Sequence, residues 1–398
     1  MGKMATLKTS VLGIKFENPF LLASAPPTAR IESIDKAFEL GWGGAVLKTI
    51  TPDDLEMIEA SPTYAAFKDR HKVYGFENIE LLSHLTIRDW IKGIKFLKKK
   101  HPTKVIIASI MAPVRKEEWQ KLIKTFNKTP CDAFELNFSC PHGMPEKGIG
   151  MAIGTDHEIS AMITKWVKEV AEKPVFVKLS PNVTSIAEIA KVVEVSGVDG
   201  LAGINTIQSM MGVDLDTFVP YPNVNGKSTF GGYSGMAVKP IGLRCVAQMR
   251  QATKLPILGI GGISKWQDAA EYMTVGADAV EVCTEVMVNG YGIISGLKEG
   301  LLNYLKAKGF KNPKDLKNKA IEHLSAHETL PKKKKVHPVF DDALCEKCGK
   351  CVKICGESGH ACLSLAKDCI HLDKKCCVGC SLCSIVCSRN AIRMQTKG

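Results

Sequence analysis

Short apolar runs alternate with amphipathic segments along the first 300 residues of the chain. This alternation predicts parallel strands joined by crossover helices. We predict eight strands, at Phe20–Ser24, Ala45–Thr49, Val105–Ile110, Ala133–Asn137, Val175–Leu179, Gly200–Asn205, Pro256–Gly259 and Ala279–Cys283. The predicted helices include Ile31–Leu40, Glu117–Phe126, Ser160–Ala171, Ser185–Ser196, Ala237–Gln251 and Lys265–Val275.

Eight parallel strands in a chain of this length fit an α/β fold, the closed (β/α)₈ or TIM barrel. An open doubly wound sheet is the alternative, because strand number alone does not prove closure. A barrel predicts that reactive residues follow the strands directly, on the carboxyl-end face. Such residues are present at Ser24, Lys48, Asn137, Ser139, Cys140, Lys178, Asn205, Thr206, Gly261, Gly262 and Thr284.

A phosphate site is predicted after the last two strands. The segment Gly259–Ser264 is glycine-rich and opens a helix, and Cys283-Thr284 follows the eighth strand. Backbone N–H groups at these two places form the usual phosphate site of such barrels. The chain lacks a G-x-G-x-x-G fingerprint, because Ile153 stands where a third glycine would follow Gly148 and Gly150. A dinucleotide-binding Rossmann unit is therefore not predicted.

Composition is that of a globular protein, with 45% hydrophobic and 24% charged residues among 398. No apolar run is long enough for a transmembrane helix, and the first residues lack a signal-peptide core, so we expect a cytoplasmic protein. The net charge of +12 arises partly from runs such as Lys98–Lys100 and Lys332–Lys335. We interpret these as surface and linker, and expect neither a nucleic-acid nor a membrane partner.

Eleven of the 15 cysteines lie between Cys345 and Cys387, and eight of these form two runs with identical spacing. This spacing is typical of bacterial two-cluster ferredoxins, in which each fourth cysteine ligates the other [4Fe-4S] cluster. Zinc is the alternative, but it prefers cysteine pairs with longer spacers. The predicted ligands are Cys345, Cys348, Cys351 and Cys387 for cluster one, and Cys377, Cys380, Cys383 and Cys355 for cluster two.

Three further cysteines fall outside this pattern, and we interpret Cys362, Cys369 and Cys376 as thiols without a ligand role. Gly356 and Ser388 replace the proline that usually follows each fourth cysteine, which removes no ligand. The predicted domains are a barrel at 1–325, a basic linker at 326–340 and a ferredoxin-like domain at 341–398.

The segment from Glu135 to Met144, ELNFSCPHGM, closely resembles the active-site loop of dihydropyrimidine dehydrogenases. Dihydroorotate dehydrogenases share its first half. The resemblance extends over essentially the whole chain, including FENIE at residues 76–80, KLSPNVT at residues 178–184 and the cysteine-rich tail. The arrangement looks like the iron–sulfur, FMN-containing subunit of the bacterial NAD-dependent enzyme.

The resemblance implies an oxidoreductase that interconverts uracil or thymine and their 5,6-dihydro forms. It implies that FMN transfers hydride to C6 of the pyrimidine and that Cys140 protonates C5. It implies pyrimidine contacts at Asn78, Asn137, Asn205 and Thr206, with Ser139 adjoining. Its flavin contacts correspond to Ser24, Lys48, Thr49, Lys178, Gly235, Gly261, Gly262, Cys283 and Thr284.

The residue types are consistent with these roles. An asparagine amide carries a donor and an acceptor on one plane, so three of them can read the alternating groups of a pyrimidine ring. A lysine at the polar edge of a flavin stabilises negative charge there, which is the role expected for Lys178. A thiol near pH 7 is largely protonated, so Cys140 can donate. Residues 141–150 suit a lid over the substrate.

Electron input is expected to come from a partner. The tail would carry single electrons, whereas NAD(P)H gives hydride, so an FAD- and NAD(P)-binding subunit is implied and a hetero-oligomer is expected. Two alternatives remain from the sequence. One is dihydroorotate oxidation, although no additional cationic residue for a carboxylate is evident. The other is an electron-transfer subunit with a vestigial barrel.

Overall fold

The computed structural model describes residues 5–55, 60–140, 149–331, 335–358, 360–366 and 369–396. These form two compact units, Met1–Leu324 and Ser325–Gly398. The strands are β1 (Thr9–Val11), β2 (Ile14–Phe16), β3 (Phe20–Leu22), β4 (Gly44–Val46), β5 (Tyr64–Asp69), β6 (Lys72–Asn78), β7 (Val105–Ile110), β8 (Ala133–Asn137), β9 (Val175–Leu179), β10 (Gly200–Gly203), β11 (Ile207–Ser209), β12 (Gly231–Ser234), β13 (Ile257–Ile260), β14 (Ala279–Val282), β15 (Val336–Phe340), β16 (Leu363–Ala366), β17 (Cys369–Leu372) and β18 (Ile392–Thr396).

The α-helices of the described residues alternate with strands in the first unit, and the last two belong to the second unit. They are α1 (Ile31–Leu40), α2 (Ile87–Lys100), α3 (Lys116–Asn127), α4 (Met151–Gly154), α5 (His157–Lys168), α6 (Ile186–Val195), α7 (Lys239–Ala252), α8 (Trp266–Thr274), α9 (Thr284–Asn289), α10 (Ile294–Ala307), α11 (Lys350–Glu357) and α12 (Leu382–Ile385). Side-chain caps define several starts: Thr86 accepts from the backbone N–H of Asp89 at α2, and Ser185 from that of Glu188 at α6.

A closed parallel barrel is the centre of the first unit. Its strands follow the cyclic order β10-β13-β14-β3-β4-β7-β8-β9. Strands β9 and β10 pair in parallel, Leu179 opposite Gly203, and complete the ring. The predicted TIM barrel is therefore confirmed and the open sheet is excluded. All eight predicted strands are present, with ends that differ by a few residues.

The barrel interior is divided into an apolar lower part and a polar upper part. Leu21, Val46, Phe176 and Leu258 pack together with other strand residues, and Phe16 of the β1–β2 hairpin joins this cluster. Because alternate residues of a strand face the same side, the positions two residues beyond Phe176 and its equivalents also point inward. Those positions carry the chemistry described below.

A four-stranded antiparallel sheet accompanies the barrel, in the order β11-β12-β6-β5. Gly232 pairs with Asn78, and Tyr64 pairs with Asn78 from the other side. The sequence analysis did not predict this sheet. It brings residues from two insertions to the carboxyl-end face, which is where the barrel places its active site.

The second unit contains two small sheets, β15–β18 and β16–β17, and the helices α11 and α12. Residues 336–340, which the sequence assigned to the linker, form strand β15 and pair with Ile392–Thr396. The linker lysines 332–334 lie outside the described residues. In the described ranges, no helix is long and apolar enough to cross a membrane.

Candidate active site

A cavity of about 1250 Å³, including its open mouth, lies at the carboxyl ends of the barrel strands. It brings together every barrel residue that the sequence analysis predicted for the site, except Ser139. The lining residues from that set are Ser24, Lys48, Thr49, Asn78, Asn137, Cys140, Lys178, Asn205, Thr206, Gly235, Gly261, Gly262, Cys283 and Thr284. Residues separated by up to 260 positions in the chain thus share one wall.

The three predicted pyrimidine residues at the ends of β8 and β10 are hydrogen-bonded to one another. Asn205 Nδ2 donates to Ser139 Oγ at 2.8 Å and to Asn137 Oδ1 at 3.3 Å. Ser139 is fully buried beneath them and donates its own hydroxyl to Asn137 Oδ1 at 3.2 Å. Ser139 therefore holds the two amides in position, and does not itself line the cavity.

Asn78 and Thr206 reach the cavity from other elements. Asn78 lies at the end of β6, and its Nδ2 donates to the Gly232 carbonyl at 2.9 Å across to β12. The backbone N–H of Thr206 donates to Asn205 Oδ1 at 2.8 Å. The orientation of both cavity-facing amides is therefore fixed by the protein itself, before any ligand binds.

Cys140 lines the cavity beside an apolar cluster. Only 8% of the residue is exposed, and Leu82, Met111 and Ile149 pack in the same cluster. Its backbone carbonyl accepts from Met151 N–H at 2.8 Å, which anchors the chain on the far side of the predicted lid. Residues 141–148 of that lid lie outside the described residues.

The predicted phosphate turn has the backbone that glycine permits. Gly261 and Gly262 have φ of +128° and +67°, and a Cβ on Gly262 would lie 2.6 Å from Lys239 N and 2.8 Å from Gly235 O. A side chain at Gly262 would therefore collide with the neighbouring backbone. Thr284, at the start of α9, bonds Ser234 Oγ at 2.8 Å through its hydroxyl.

Two lysines give the cavity floor its charge. Lys48 Nζ lies 3.1 Å from Glu80 Oε2, and Lys178 Nζ lies 3.5 Å from Glu135 Oε1 and 3.7 Å from Glu281 Oε2. Burial opposes the charge on Lys178 most strongly, yet the two carboxylates raise its pKa overall. Lys178 is therefore a permanent cation at the base of the cavity.

Cys283 lines the cavity wall, and its thiol is protonated. Burial raises the pKa of its thiol to about 11, against the opposing attraction of Lys178 and Lys48. It therefore stays neutral at physiological pH and is unsuited to act as a nucleophile there.

Polar residues of this cavity that the sequence analysis missed include Tyr64, Glu80, Ser234 and Glu281. The Tyr64 hydroxyl donates to Glu80 Oε2, and burial together with this bond raises the Tyr64 pKa. A signal was available for Glu281, since one glutamate interrupts the otherwise apolar strand Ala279–Val282. Tyr64 and Ser234 belong to the unpredicted sheet, so no sequence signal placed them here.

The donor set suits an FMN. The left-handed Gly261–Gly262 turn and the Thr284 hydroxyl are groups that hold a phosphate, and Lys178 is a cation for the polar edge of an isoalloxazine ring. The residues that would hold it are those predicted from the sequence.

In the second unit, the four cysteines predicted for cluster two line a single cavity of about 350 Å³. They are Cys355, Cys377, Cys380 and Cys383. Cys355 Sγ also accepts from the backbone N–H of Cys362 at 3.3 Å. Four thiols around one cavity, including the ligand from the other run, fit the exchanged ligation pattern of a two-cluster ferredoxin.

The cluster-one cysteines are also close neighbours. Cys351 and Cys387 belong to one apolar cluster, and Ala391 N–H donates to Cys387 Sγ at 3.3 Å. Burial raises the pKa of the Cys351 thiol, and Cys345 and Cys348 are near enough to raise it further. Among the described residues, no three His, Cys, Asp or Glu side chains converge closely enough to hold a single metal ion.

One interpretation of the extra cysteines was wrong. Cys362 and Cys376 form a disulfide, with Cα atoms 5.6 Å apart, whereas both were expected to be thiols. Their pairing depends on the β16–β17 hairpin between them, which sequence spacing does not reveal. Cys369 is an exposed free thiol.

Comparison with known proteins identifies the relatives of this chain. Residues 6–305 match the family model described as dihydroorotate dehydrogenase. The chain is 38% identical to the chloroplastic dihydropyrimidine dehydrogenase (NADP(+)) of Arabidopsis thaliana, over 83% of this chain and 80% of the relative. It is 36% identical to the catalytic subunit of dihydroorotate dehydrogenase B (NAD(+)) of Pyrococcus abyssi, over 79% and 99%.

A bacterial relative matches the chain over a longer range. The NAD-dependent dihydropyrimidine dehydrogenase subunit PreA of Escherichia coli K12 is 35% identical over 89% of this chain and 86% of its own length. The 358 matched residues exceed the 324 of the barrel unit, so this match reaches into the cysteine-rich unit. The chain belongs to the dihydroorotate dehydrogenase family and, within it, with the dihydropyrimidine dehydrogenases.

Proposed function

We propose that the chain is the catalytic subunit of a dihydropyrimidine dehydrogenase that interconverts uracil or thymine and their 5,6-dihydro forms. The observation that supports this most is the convergence of Asn78, Asn137, Asn205 and Cys140 on one cavity. These residues come from separate strand ends and loops, and a cavity wall with three amides and one thiol suits a planar, amide-rich ring.

Recognition of the ring depends on pre-oriented amides. Asn205 is held by Ser139 and Asn137, and Asn78 by the Gly232 carbonyl, so neither must reorganise on binding. A pyrimidine presents two N–H donors and two carbonyl acceptors, which three asparagines can satisfy in a fixed arrangement. Fixed partners increase affinity because less side-chain entropy is lost on binding.

The proton is assigned to Cys140. Its thiol would donate to C5 of the ring in the reducing direction and accept the C5 proton in the reverse direction. Leu82, Met111 and Ile149 pack in the same cluster as Cys140, and a free thiol is largely protonated near pH 7. FMN, bound at Lys178 and the Gly261–Gly262 turn, would exchange hydride with C6.

Electron supply is assigned to the tail and a partner. The eight motif cysteines would hold two [4Fe-4S] clusters, which exchange single electrons. The PreA relative is named as a subunit, which supports the proposal that this chain works with a second polypeptide. We assign FAD and NAD(P) to that polypeptide, in a cytoplasmic hetero-oligomer.

Dihydroorotate oxidation is the second candidate, favoured by the family model and the Pyrococcus relative. Orotate carries a carboxylate that requires a cation in the pocket. Both lysines that line the described cavity already lie beside glutamates, Lys48 beside Glu80 and Lys178 beside Glu135 and Glu281. Electrostatics therefore favours the neutral pyrimidines.

The test is anaerobic turnover of the purified chain with reduced viologen as the electron donor. Uracil, thymine and orotate are compared as substrates, after FMN and iron have been quantified. We expect reduction of uracil or thymine and little reduction of orotate. Preferential orotate reduction would support the second candidate, and a chain purified without FMN would support a vestigial barrel.

A further inference from the structure

Three ionisable side chains meet inside the barrel, below the cavity. Glu135 on β8, Lys178 on β9 and Glu281 on β14 each lie two residues above an apolar position of the barrel core, at Ala133, Phe176 and Ala279. Both carboxylates are fully buried, and Lys178 is 5% exposed. Glu281 and Lys178 also line the cavity, whereas Glu135 does not.

The charges in this cluster do not balance. One ammonium faces two carboxylates, at 3.5 Å and 3.7 Å. All four carboxylate oxygens are buried, and no described residue outside the cluster donates a hydrogen bond to them. A buried carboxylate that lacks both a full counter-charge and hydrogen bonds is costly, and taking up a proton removes that cost.

The other charged or titratable groups near the cluster do not supply the missing positive charge. Cys283, two residues beyond Glu281, is a neutral thiol. Lys48 lies 3.1 Å from Glu80. Burial first, and then the like charge of Glu135, raise the pKa of Glu281 well above its usual value, while Lys178 opposes this. Glu135 also lies nearer to the ammonium, at 3.5 Å against 3.7 Å, so the counter-charge falls to Glu135 and the proton to Glu281.

We propose that Glu281 is a neutral, protonated positioning residue, which holds Lys178 at the cavity floor while Glu135 supplies its single counter-charge. This inference deepens the proposed function. It rests on that function only for the identity of the group that binds above Lys178, the flavin. The Glu135–Lys178 pair then has a net charge of zero. The ammonium is thus fixed in place at the cavity floor.

The first test is the pH dependence of stability in Glu281→Gln, which mimics the protonated carboxyl. All five tryptophans lie in the barrel unit, so tryptophan fluorescence in urea reports its unfolding in the full chain. Since the folded pKa is raised, wild type binds a proton on folding and loses stability as pH rises from the unfolded towards the folded pKa. In that window, the unfolding equilibrium constant of wild type should grow about tenfold per pH unit relative to the variant.

Glu172→Gln, at an exposed glutamate of the same unit, is the matched control. Its unfolding equilibrium constant relative to that of wild type should stay constant between pH 5 and 9. A difference between Glu281→Gln and wild type that is constant, or that shrinks as pH rises, would mean that Glu281 is ionised and would overturn the proposal. This measurement requires no substrate.

The second test separates positioning from simple packing. FMN content and viologen-driven turnover should fall at least tenfold in Glu281→Ala and be rescued to within about threefold by Glu281→Gln, because glutamine keeps the neutral polar group beside Lys178. Equal losses in both variants would overturn the proposal. If wild type binds FMN but reduces no pyrimidine, the proposed function fails, whereas the unfolding and FMN measurements still decide the state of Glu281.

Discussion

Asn137 donates from Nδ2 to the hydroxyl of Thr49 at 3.0 Å, although the two residues lie 88 positions apart in the chain. Thr49 belongs to the predicted flavin contacts and Asn137 to the predicted pyrimidine contacts. The same hydroxyl lies 3.2 Å from Ser24 Oγ and 3.0 Å from Ser109 Oγ. The two halves of the site are therefore connected by one hydrogen-bond network, and a change in one should affect the other.

Thr49→Val tests this connection. Valine keeps the shape but leaves Asn137 Nδ2 without its acceptor, which costs about 1–3 kcal/mol for a buried group. We expect kcat/KM for uracil or thymine to fall roughly 5- to 150-fold. The measurement is viologen-driven turnover together with FMN content. Thr49→Ser, which retains the hydroxyl, should stay close to wild type, and equal activity of the valine and wild-type proteins would contradict the role of the bond.

Asn78→Ala and Asn205→Ala test the pyrimidine contacts. Each removes one amide that the protein holds in position, through Gly232 or Ser139, so we expect a loss of about 1–3 kcal/mol in transition-state binding. FMN content should survive. The check is kcat/KM for uracil and thymine, with Asn303→Ala at an exposed position as the control. A variant with unchanged kcat/KM would remove that residue from the substrate contacts.

Cys140 is the predicted proton donor, and its replacement should affect chemistry more than binding. Cys140→Ala should retain FMN and lower turnover about 10²–10⁴-fold, the usual contribution of one general acid. Cys140→Ser should also be severely impaired, because a hydroxyl donates a proton much less readily than a thiol. Steady-state turnover and the visible flavin spectrum provide the measurement. Turnover near wild type in both variants would refute the assignment.

The sequence predicted the barrel well because its strands are continuous apolar runs. Val105–Ile110, Ala133–Asn137 and Val175–Leu179 are buried on both faces, and their predicted and observed bounds coincide. Residues at the carboxyl ends of such strands converge by geometry alone, so Asn137 and Lys178 could be placed in one site before the structure was known. That prediction required only the order of strands and their common direction.

The parts that sequence did not predict depend on contacts between distant segments. Lys72–Asn78 mixes charged and aromatic residues, and its partner Gly231–Ser234 begins with two glycines, so neither has a clear strand pattern. Strand Val336–Phe340 contains Pro338 and adjoins a lysine run, which is typical of a linker, yet a two-stranded sheet tolerates proline at its edge. The Glu135–Lys178–Glu281 cluster could not be predicted either, because its three strands come together only when the barrel closes.

The electron path gives the final prediction: the isolated chain should use NAD(P)H poorly. It has no dinucleotide fingerprint, and a two-cluster tail would be unnecessary in a flavoenzyme that accepted hydride directly. A pyridine nucleotide gives two electrons as hydride, whereas iron–sulfur centres pass one at a time, so the pair must be divided on a partner flavin. Pyrimidine reduction with reduced viologen should therefore be rapid, and with NADH or NADPH slow until the partner is added.

Variants of the cysteine-rich unit test whether electrons enter through the predicted clusters. Cys348→Ala and Cys380→Ala each remove one exposed predicted ligand, and should abolish partner-driven activity while viologen-driven activity is retained, because a small one-electron donor can reach the barrel cavity directly. Cys369→Ala is the matched control, since this cysteine is equally exposed and lies outside both runs. Iron content should fall in the first two variants only. Fast NAD(P)H-driven turnover by the isolated chain, or partner-driven activity that survives both ligand substitutions, would rule out electron entry through the clusters.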